Sequence, residues 1–186
     1  MTATLPNFVE PLGQGVFAID TAFHRDHFDA AYLLVHEGRA AFIVTGTNHA
    51  VPRLLAALEA LGIAPGAVDW VIPTHVHLDH AGGAGLLMSR LPNARMLVHP
   101  RGAPHMIDPA KLWAGATAVY GAEEMARSYG MLVPVPAERV DLSHDGMTIE
   151  LPAGRCCWPT RPVMHATTTA FGTPHRAAGS PATLLA

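Results

Sequence analysis

Three histidines and one aspartate lie within six consecutive positions, as His75, His77, Asp79 and His80. Imidazole and carboxylate groups are donors that suit zinc, and iron or manganese accept the same donors. His75 and His77 are at alternate positions, so in an extended loop both rings can approach one ion from the same side. Asp79 and His80 follow closely and can turn toward a second ion. The spacing predicts a metal site, and an accidental cluster in a histidine-rich chain is the weaker interpretation.

The donors follow an apolar run and precede a glycine pair. Val68 to Ile72 has the length and composition of a buried strand, and Gly82-Gly83 predicts a turn after the donors. A strand that ends abruptly in a cluster of ligands is typical of a metal loop at the edge of a sheet. His24, His27 and Asp29 lie in a polar loop and could face this site, although nothing in their spacing requires it.

The rest of the chain predicts an α+β fold. Strands are expected at 16–20, 31–36, 39–45, 68–73, 95–99, 140–142 and 147–151, and helices at 48–61, 83–91, 109–120 and 122–129. Glu37-Gly38 and Asp145-Gly146 predict two hairpin turns, and Thr47 or Asn48 is the expected cap of the first helix. This order indicates a mixed sheet that is covered by helices.

Composition narrows the classes of partner and location. The 186 residues carry a formal net charge of -3, which gives no reason to expect a nucleic-acid or anionic-membrane partner. The first residues have neither a basic region nor a continuous apolar core, so no signal peptide is expected. We therefore predict a cytoplasmic protein with a small-molecule substrate. The adjacent Cys156 and Cys157 are poorly placed for a structural disulfide.

The segment from Thr74 to Gly83 resembles the signature loop of metallo-β-lactamase-fold hydrolases, a group that includes glyoxalase II-like thioesterases and lactonases. The resemblance covers residues 16–151 and implies a four-layer αβ/βα sandwich with two zinc ions at one edge. It implies that His75 and His77 bind the first ion and that Asp79 and His80 bind the second. Asp79 would also contact the nucleophilic water, which makes it the candidate catalytic residue. The implied reaction is attack by metal-bound hydroxide on a thioester, ester or lactone.

Other polar and aromatic residues leave alternatives open. Val44-Thr45-Gly46 stands where many family members have Asp-Thr-Gly, so a carboxylate that commonly supports the metal loop is missing. A polar group after the fifth predicted strand could line a substrate cleft or could simply be solvated: His99, Arg101, His105 and Asp108. Four large side chains are expected to pack helices, with a substrate-facing role as the alternative: Trp113, Tyr120, Met125 and Tyr129.

The chain changes character after Leu151. Residues 152–186 contain no Asp, Glu or Lys, and they show no helix or strand period. The family's later ligand motifs, Thr-Pro-Gly-His and Phe-Thr-Gly-Asp, are absent from this stretch. We therefore predict a metallo-β-lactamase-like domain over residues 1–151 and an irregular tail over 152–186. A disordered tail is the simpler interpretation of such a composition.

A frameshift near Gly154 to Cys156 offers a second interpretation of the tail. Codons for residues 157–166, read in the frame that starts at the third base of codon 157, can spell Leu-Ala-Asp-Thr-Pro-Gly-His-Ala-Arg. In the same frame, the codons for residues 178–183 can spell Trp-Phe-Thr-Gly-Asp. The alternative function is then a truncated, catalytically inactive remnant with weak or no metal binding. Such a remnant would expose sheet and helix faces, which favours self-association.

Overall fold

A seven-stranded mixed sheet forms the centre of the structure. The computed structural model describes residues 5–151 and 163–166. The strands lie side by side in chain order, as β1 (Val9–Gly13), β2 (Val16–Asp20), β3 (Ala30–His36), β4 (Arg39–Ile43), β5 (Val68–Ile72), β6 (Arg95–Val98) and β7 (Val140–Leu142). The strands from β1 to β4 pair antiparallel, and those from β4 to β7 pair parallel. The parallel part brings the carboxyl ends of several strands to one edge.

Helices connect the parallel strands. They are α1 (Val51–Ala60), α2 (Leu78–Ala81), α3 (Ala84–Arg90), α4 (Ala103–Ile107), α5 (Ala110–Tyr120) and α6 (Ala122–Glu124), which continues into a π-helical turn (Met125–Tyr129). Short 3₁₀ turns lie at Asn48–Ala50, Pro65–Ala67 and Ala137–Arg139. No helix in the described ranges is both long and apolar enough to cross a membrane.

The sheet buries apolar side chains on both faces. The larger core packs helix side chains such as Leu54 and Leu58 against sheet side chains such as Leu33 and Phe42. These four are at most 1% exposed, because α1 presents one apolar face to the sheet. A smaller cluster occupies the opposite face: Ile43, Val44, Ile72, Leu97 and Ile149. The described structure is therefore a helix-covered sheet with a second, smaller core behind it, and the predicted α+β fold is confirmed.

The predicted hairpin around Asp145-Gly146 is wrong. β7 pairs parallel with β6, and β8 (Met147–Glu150) pairs antiparallel with β9 (Val163–Ala166) in a separate two-stranded sheet. The Arg95 guanidinium donates to the Asp141 carboxylate, with an Nη2···Oδ1 distance of 2.8 Å, and this pair joins β7 to β6. A turn signal favours local pairing, but the long-range pairing with β6 places Val140 against the larger core.

Other expectations are modified. The first helix begins with the 3₁₀ turn Asn48–Ala50. Thr47 makes no side-chain capping hydrogen bond, and Asn48 lies inside the turn and donates its side-chain amide to the carbonyl of Met131. The strand β1 has no counterpart in the predicted elements. Of the expected irregular tail, 163–166 form β9, and the remainder lies outside the described residues. The boundary at Leu151 and the frameshift therefore stay predictions.

Candidate metal centre

The predicted metal loop begins where β5 ends, at the carboxyl edge of the parallel strands. After Ile72 the chain runs through His75 to His77 and then forms the single helical turn α2. Leu78 and Ala81 of this turn are buried, at 6% and 1% exposure. They anchor the turn in the core, and the histidines and Asp79 remain at the surface of the edge. Two apolar side chains of this turn are therefore buried in the core, and the candidate metal donors around them stay at the surface.

A second segment clamps this loop through its backbone. Thr45, just after β4, donates its amide to the carbonyl of His80 at 2.8 Å, and its hydroxyl donates to the same oxygen at 3.1 Å. The amide of Gly83 donates to the carbonyl of Gly46 at 2.8 Å. A Cβ on Gly83 would lie 2.6 Å from the Thr47 carbonyl oxygen, so the close approach requires a glycine at this position.

The three histidine rings and Asp79 lie close together. The ring centroid of His75 is 4.6 Å from that of His77 and 4.3 Å from that of His80. His80 Nε2 is 3.4 Å from Asp79 Oδ2. Burial lowers the pKa of His75, and the neighbouring His80 and His77 lower it further. The neutral form of His75, which is the form that binds metals, is therefore favoured.

The donor chemistry fits zinc, but the described donors do not complete a cage. Imidazole nitrogens and one carboxylate are the ligands of many zinc sites, and a closed site uses four of them. Within residues 5–151, no group of three His, Cys, Asp or Glu side chains converges closely enough to hold a metal ion. The loop therefore places the predicted ligands close to one another two at a time, and not as a converging group of three or more. Their assignment to two ions stays a prediction.

Asp29 reaches this neighbourhood from the loop before β3. Its Oδ1 atom lies 3.9 Å from His80 Nδ1, and its side chain is only 12% exposed. The hydroxyl of Thr21 donates to Asp29 Oδ2 at 3.1 Å. Burial raises the pKa of Asp29 above its usual value, against the opposing influence of His80. The sequence allowed Asp29 to face this site, but it gave no basis for the specific contact with His80, because the two residues are far apart in the chain.

Val44 occupies an unusual backbone conformation at the end of β4. Its φ angle is +64°, a region that β-branched residues rarely adopt, and its side chain is 5% exposed. Its amide donates to the carbonyl of Ile72 at 3.0 Å, which ties β4 to the strand that carries the metal loop. The strand end therefore forms this contact without a carboxylate at the position.

Two clefts flank the loop. One, of about 700 Å³, is lined in part by Asp20, Asp29, Tyr32, Val44, Thr74 and His80. The other, of about 480 Å³, is lined in part by His77, Asp79, His105, Lys111, Tyr120 and Tyr129. The donors thus lie between two spaces that are large enough for a small molecule.

The residues whose roles the sequence left open take different places. His105, Tyr120 and Tyr129 line the smaller cleft, whereas Met125 is fully buried. The side chain of Asp108 accepts a hydrogen bond from the amide of Ala110 at 3.2 Å, at the start of α5. The His99 ring lies 3.1 Å from the amide of Arg101. Of these polar residues after β6, His105 lines the smaller of the two clefts that flank the loop.

Comparisons with curated proteins give short matches. Metallo-beta-lactamase domain-containing protein 1 of Homo sapiens is 42% identical over 82 residues, which are 38% of this chain and 31% of that protein. N-acyl homoserine lactonase AttM of Azorhizobium caulinodans is 40% identical over 55 residues, 30% of this chain and 19% of the lactonase. Hydroxyacylglutathione hydrolase of Acidiphilium cryptum is 40% identical over 60 residues, 32% of this chain and 22% of the hydrolase. The matches therefore span about a third or less of each relative.

Solved structures share the fold over most of the chain. FEZ-1 metallo-beta-lactamase from Legionella gormanii superposes with a TM-score of 0.60 and 18% identity, over 88% of this chain and 53% of that one. A metallo-beta-lactamase from Cronobacter sakazakii gives a TM-score of 0.56 and 23% identity, over 81% and 51%. The chain thus spans about half the length of these enzymes. The sequence model of the metallo-beta-lactamase superfamily matches residues 13–156, which is well over half of the chain. The chain belongs to the metallo-beta-lactamase superfamily.

Proposed function

We propose that the protein is a zinc-dependent hydrolase that acts on a thioester, an ester or a lactone. The observation that carries the proposal is the grouping of His75, His77, Asp79 and His80 in one clamped loop between two clefts. The names of two curated relatives, a lactonase and a hydroxyacylglutathione hydrolase, point to the same class of acyl bond. Acyl carbons of this class are open to attack by hydroxide.

The residues of the loop would have distinct roles in binding the metal and orienting the water. His75 and His77 would hold one zinc ion, and Asp79 and His80 would hold a second. Zinc lowers the pKa of bound water from about 15.7 toward about 7, which makes a hydroxide nucleophile available at neutral pH. Asp79 lines the smaller cleft, so its carboxylate can accept a hydrogen bond from the attacking water and orient it. Tyr120 and Tyr129, on the same cleft, offer aromatic walls for the acyl part of the substrate.

Hydrolysis of a substrate panel tests this proposal. The full chain, dialysed against zinc, is assayed with a thioester, an aryl ester and a lactone. We expect turnover of at least one of them, and a fall of about 10²-fold or more in kcat for Asp79→Asn. The matched control is His144→Ala, an exposed histidine in the turn before β8. An Asp79→Asn variant with unchanged kcat would contradict the assigned role.

A catalytically inactive remnant is the second candidate function. One observation favours it: within the described residues, no three donors converge closely enough to hold a metal ion. In this case the protein would bind zinc weakly or not at all. A purified chain that holds about two zinc ions and turns over a substrate would exclude the remnant.

We also propose that residues 152–186 are translated out of frame. The support is the sequence argument: one alternative frame can spell both missing ligand motifs in the family's order. The test is the nucleotide sequence of the gene across codons 152–186. Codons that cannot spell Thr-Pro-Gly-His and Phe-Thr-Gly-Asp in that frame would refute the proposal. If they can, a frame-corrected gene should yield a protein with tighter zinc binding than the present chain.

A further inference from the structure

We propose that Asp29 is the positioning residue for His80, and that it serves in place of the carboxylate that Val44 does not provide. The inference rests on the proposed function, because it concerns the same metal loop. Its first support is an unpaired atom. His80 Nδ1 is buried and has no hydrogen-bond partner in the part of the chain that the structure describes. The Asp29 carboxylate faces this atom, with Oδ1 at 3.9 Å.

The two nitrogens of the His80 ring face different groups. Nε2 lies 3.4 Å from Asp79 Oδ2, on the side where the second ion would bind, whereas Nδ1 faces Asp29. A histidine that binds a metal through one nitrogen carries its proton on the other, and a carboxylate is a common acceptor for that proton. The proton on Nδ1 would then point toward Asp29. At 3.9 Å the contact is too long for a direct hydrogen bond, so it requires a shift of about 1 Å or a bridging water.

Asp29 is held in position for this contact. Its Oδ2 accepts the hydroxyl of Thr21 at 3.1 Å, and its backbone carbonyl accepts the Thr21 amide, also at 3.1 Å. The Ala30 amide also interacts with this carboxylate, and Oδ1 is the oxygen that lies 3.9 Å from His80 Nδ1. A buried carboxylate costs free energy unless it is paired, and the Nδ1 proton of His80 would be a further partner. The arrangement is a carboxylate prepared to accept one proton donor.

The position of Val44 suggests why Asp29 would be the residue that orients His80. Val44 lines the same cleft as Asp29 and His80, which makes position 44 a place where an introduced carboxylate can be tested against the His80 ring. The backbone at position 44 has a φ of +64°, which aspartate tolerates better than valine does. A carboxylate placed at position 44 should therefore substitute for the one removed from position 29.

The test compares Asp29→Ala, Asp29→Asn and the double variant Asp29→Ala/Val44→Asp with the wild type. Two quantities are measured in the full chain. The first is the tautomer of the His80 ring in the metal-free protein, by ¹⁵N NMR at a pH where the ring is neutral. The second is the zinc dissociation constant, by competition with a chromophoric chelator. Asp26→Ala is the matched control, because Asp26 lies in the same loop but its side chain is 79% exposed.

We expect the wild type and Asp26→Ala to carry the His80 proton on Nδ1. Asp29→Ala should shift the proton toward Nε2 and weaken zinc binding by about 10- to 100-fold. Asp29→Asn, which keeps a carbonyl acceptor, should lose less, and the double variant should recover most of the affinity. A purely structural role would not produce this recovery.

The opposite results would overturn the inference. An Asp29→Ala variant with the wild-type tautomer and the wild-type affinity would refute it, and so would a double variant that recovers neither. If Asp29→Ala does not fold, the comparison of Asp29→Asn with the double variant decides. If the wild type binds no zinc, the proposed function fails, but the tautomer in the metal-free protein still decides whether Asp29 orients His80.

Discussion

Replacement of Gly83 by alanine should destabilise the fold, because the added methyl group would clash with the segment that clamps the metal loop. The new Cβ would lie 2.6 Å from the Thr47 carbonyl oxygen and 3.1 Å from a Val51 methyl carbon. Both neighbouring atoms belong to residues 45–51. The Thr47 oxygen is a backbone atom, so it cannot move away unless this segment of the chain moves with it. Overpacking of this kind typically costs about 1–3 kcal/mol. The φ of Gly83 is -82°, so the cost comes from the clash and not from a left-handed backbone.

Gly115→Ala is the matched control. Gly115 lies within α5, and a Cβ added there meets nothing within 4 Å. Because glycine in a helix is about 0.5–1 kcal/mol less favourable than alanine, this variant should be more stable than the wild type. The two substitutions add the same methyl group and should have opposite signs.

The assay is urea unfolding followed by far-ultraviolet circular dichroism. We expect a free energy of unfolding about 1–3 kcal/mol lower for Gly83→Ala and up to about 1 kcal/mol higher for Gly115→Ala, with unchanged m-values. Gly83→Ala should also disturb the Thr45 to His80 hydrogen bonds, which amide exchange at Thr45 would detect as faster exchange. A Gly83→Ala variant as stable as the wild type would refute the clamp as we describe it.

Two further predictions concern the elements that hold the parallel edge. The Arg139 guanidinium donates to three backbone carbonyls at the end of α3 and in the loop after it, those of Met88, Leu91 and Ala94. Because Arg139→Met would leave these carbonyls without their donor, it should lower the free energy of unfolding by about 1–3 kcal/mol. A loss below about 0.5 kcal/mol would contradict this role. The hydrogen bond from Arg95 lowers the pKa of Asp141 in the folded protein. The ionised carboxylate therefore stabilises the fold at pH values above the unfolded-state pKa of about 3.9, and this stabilisation is lost as the pH falls through the lower folded-state pKa. Because the pair is partly exposed, Asp141→Asn should cost only about 0.5 kcal/mol at pH 7, and the gap between the two unfolding curves should close in acid; a gap that widens below pH 4 would contradict the sign.

Local patterns carried much of the fold prediction. The apolar runs identified the central strands, and the glycine turn between β3 and β4 identified their pairing, with Glu37 and Gly38 at φ angles of +46° and +77°. Such features depend on neighbours in sequence, which a single chain displays directly. The same locality exposed the metal loop, because its four candidate donors are adjacent.

Features that depend on distant contacts were not predictable. The turn at Asp145-Gly146 forms, but it does not pair β7 with β8: β7 pairs parallel with β6, where the partial burial of Val140 and the pair between Arg95 and Asp141 favour it. The approach of Asp29 to His80 joins parts of the chain that only the sheet brings together. The left-handed conformation of Val44 contradicts its intrinsic preference, so tertiary structure imposes it.

Zinc binding by the purified chain tests the central claim most directly. We expect wild-type protein, titrated with zinc against a chromophoric chelator, to bind at least one zinc ion through the predicted loop. His77→Ala should weaken this binding by about 10-fold or more, whereas the exposed control His144→Ala should leave it unchanged. A wild type that takes up no more zinc than His77→Ala would contradict the assignment of the loop as a metal centre.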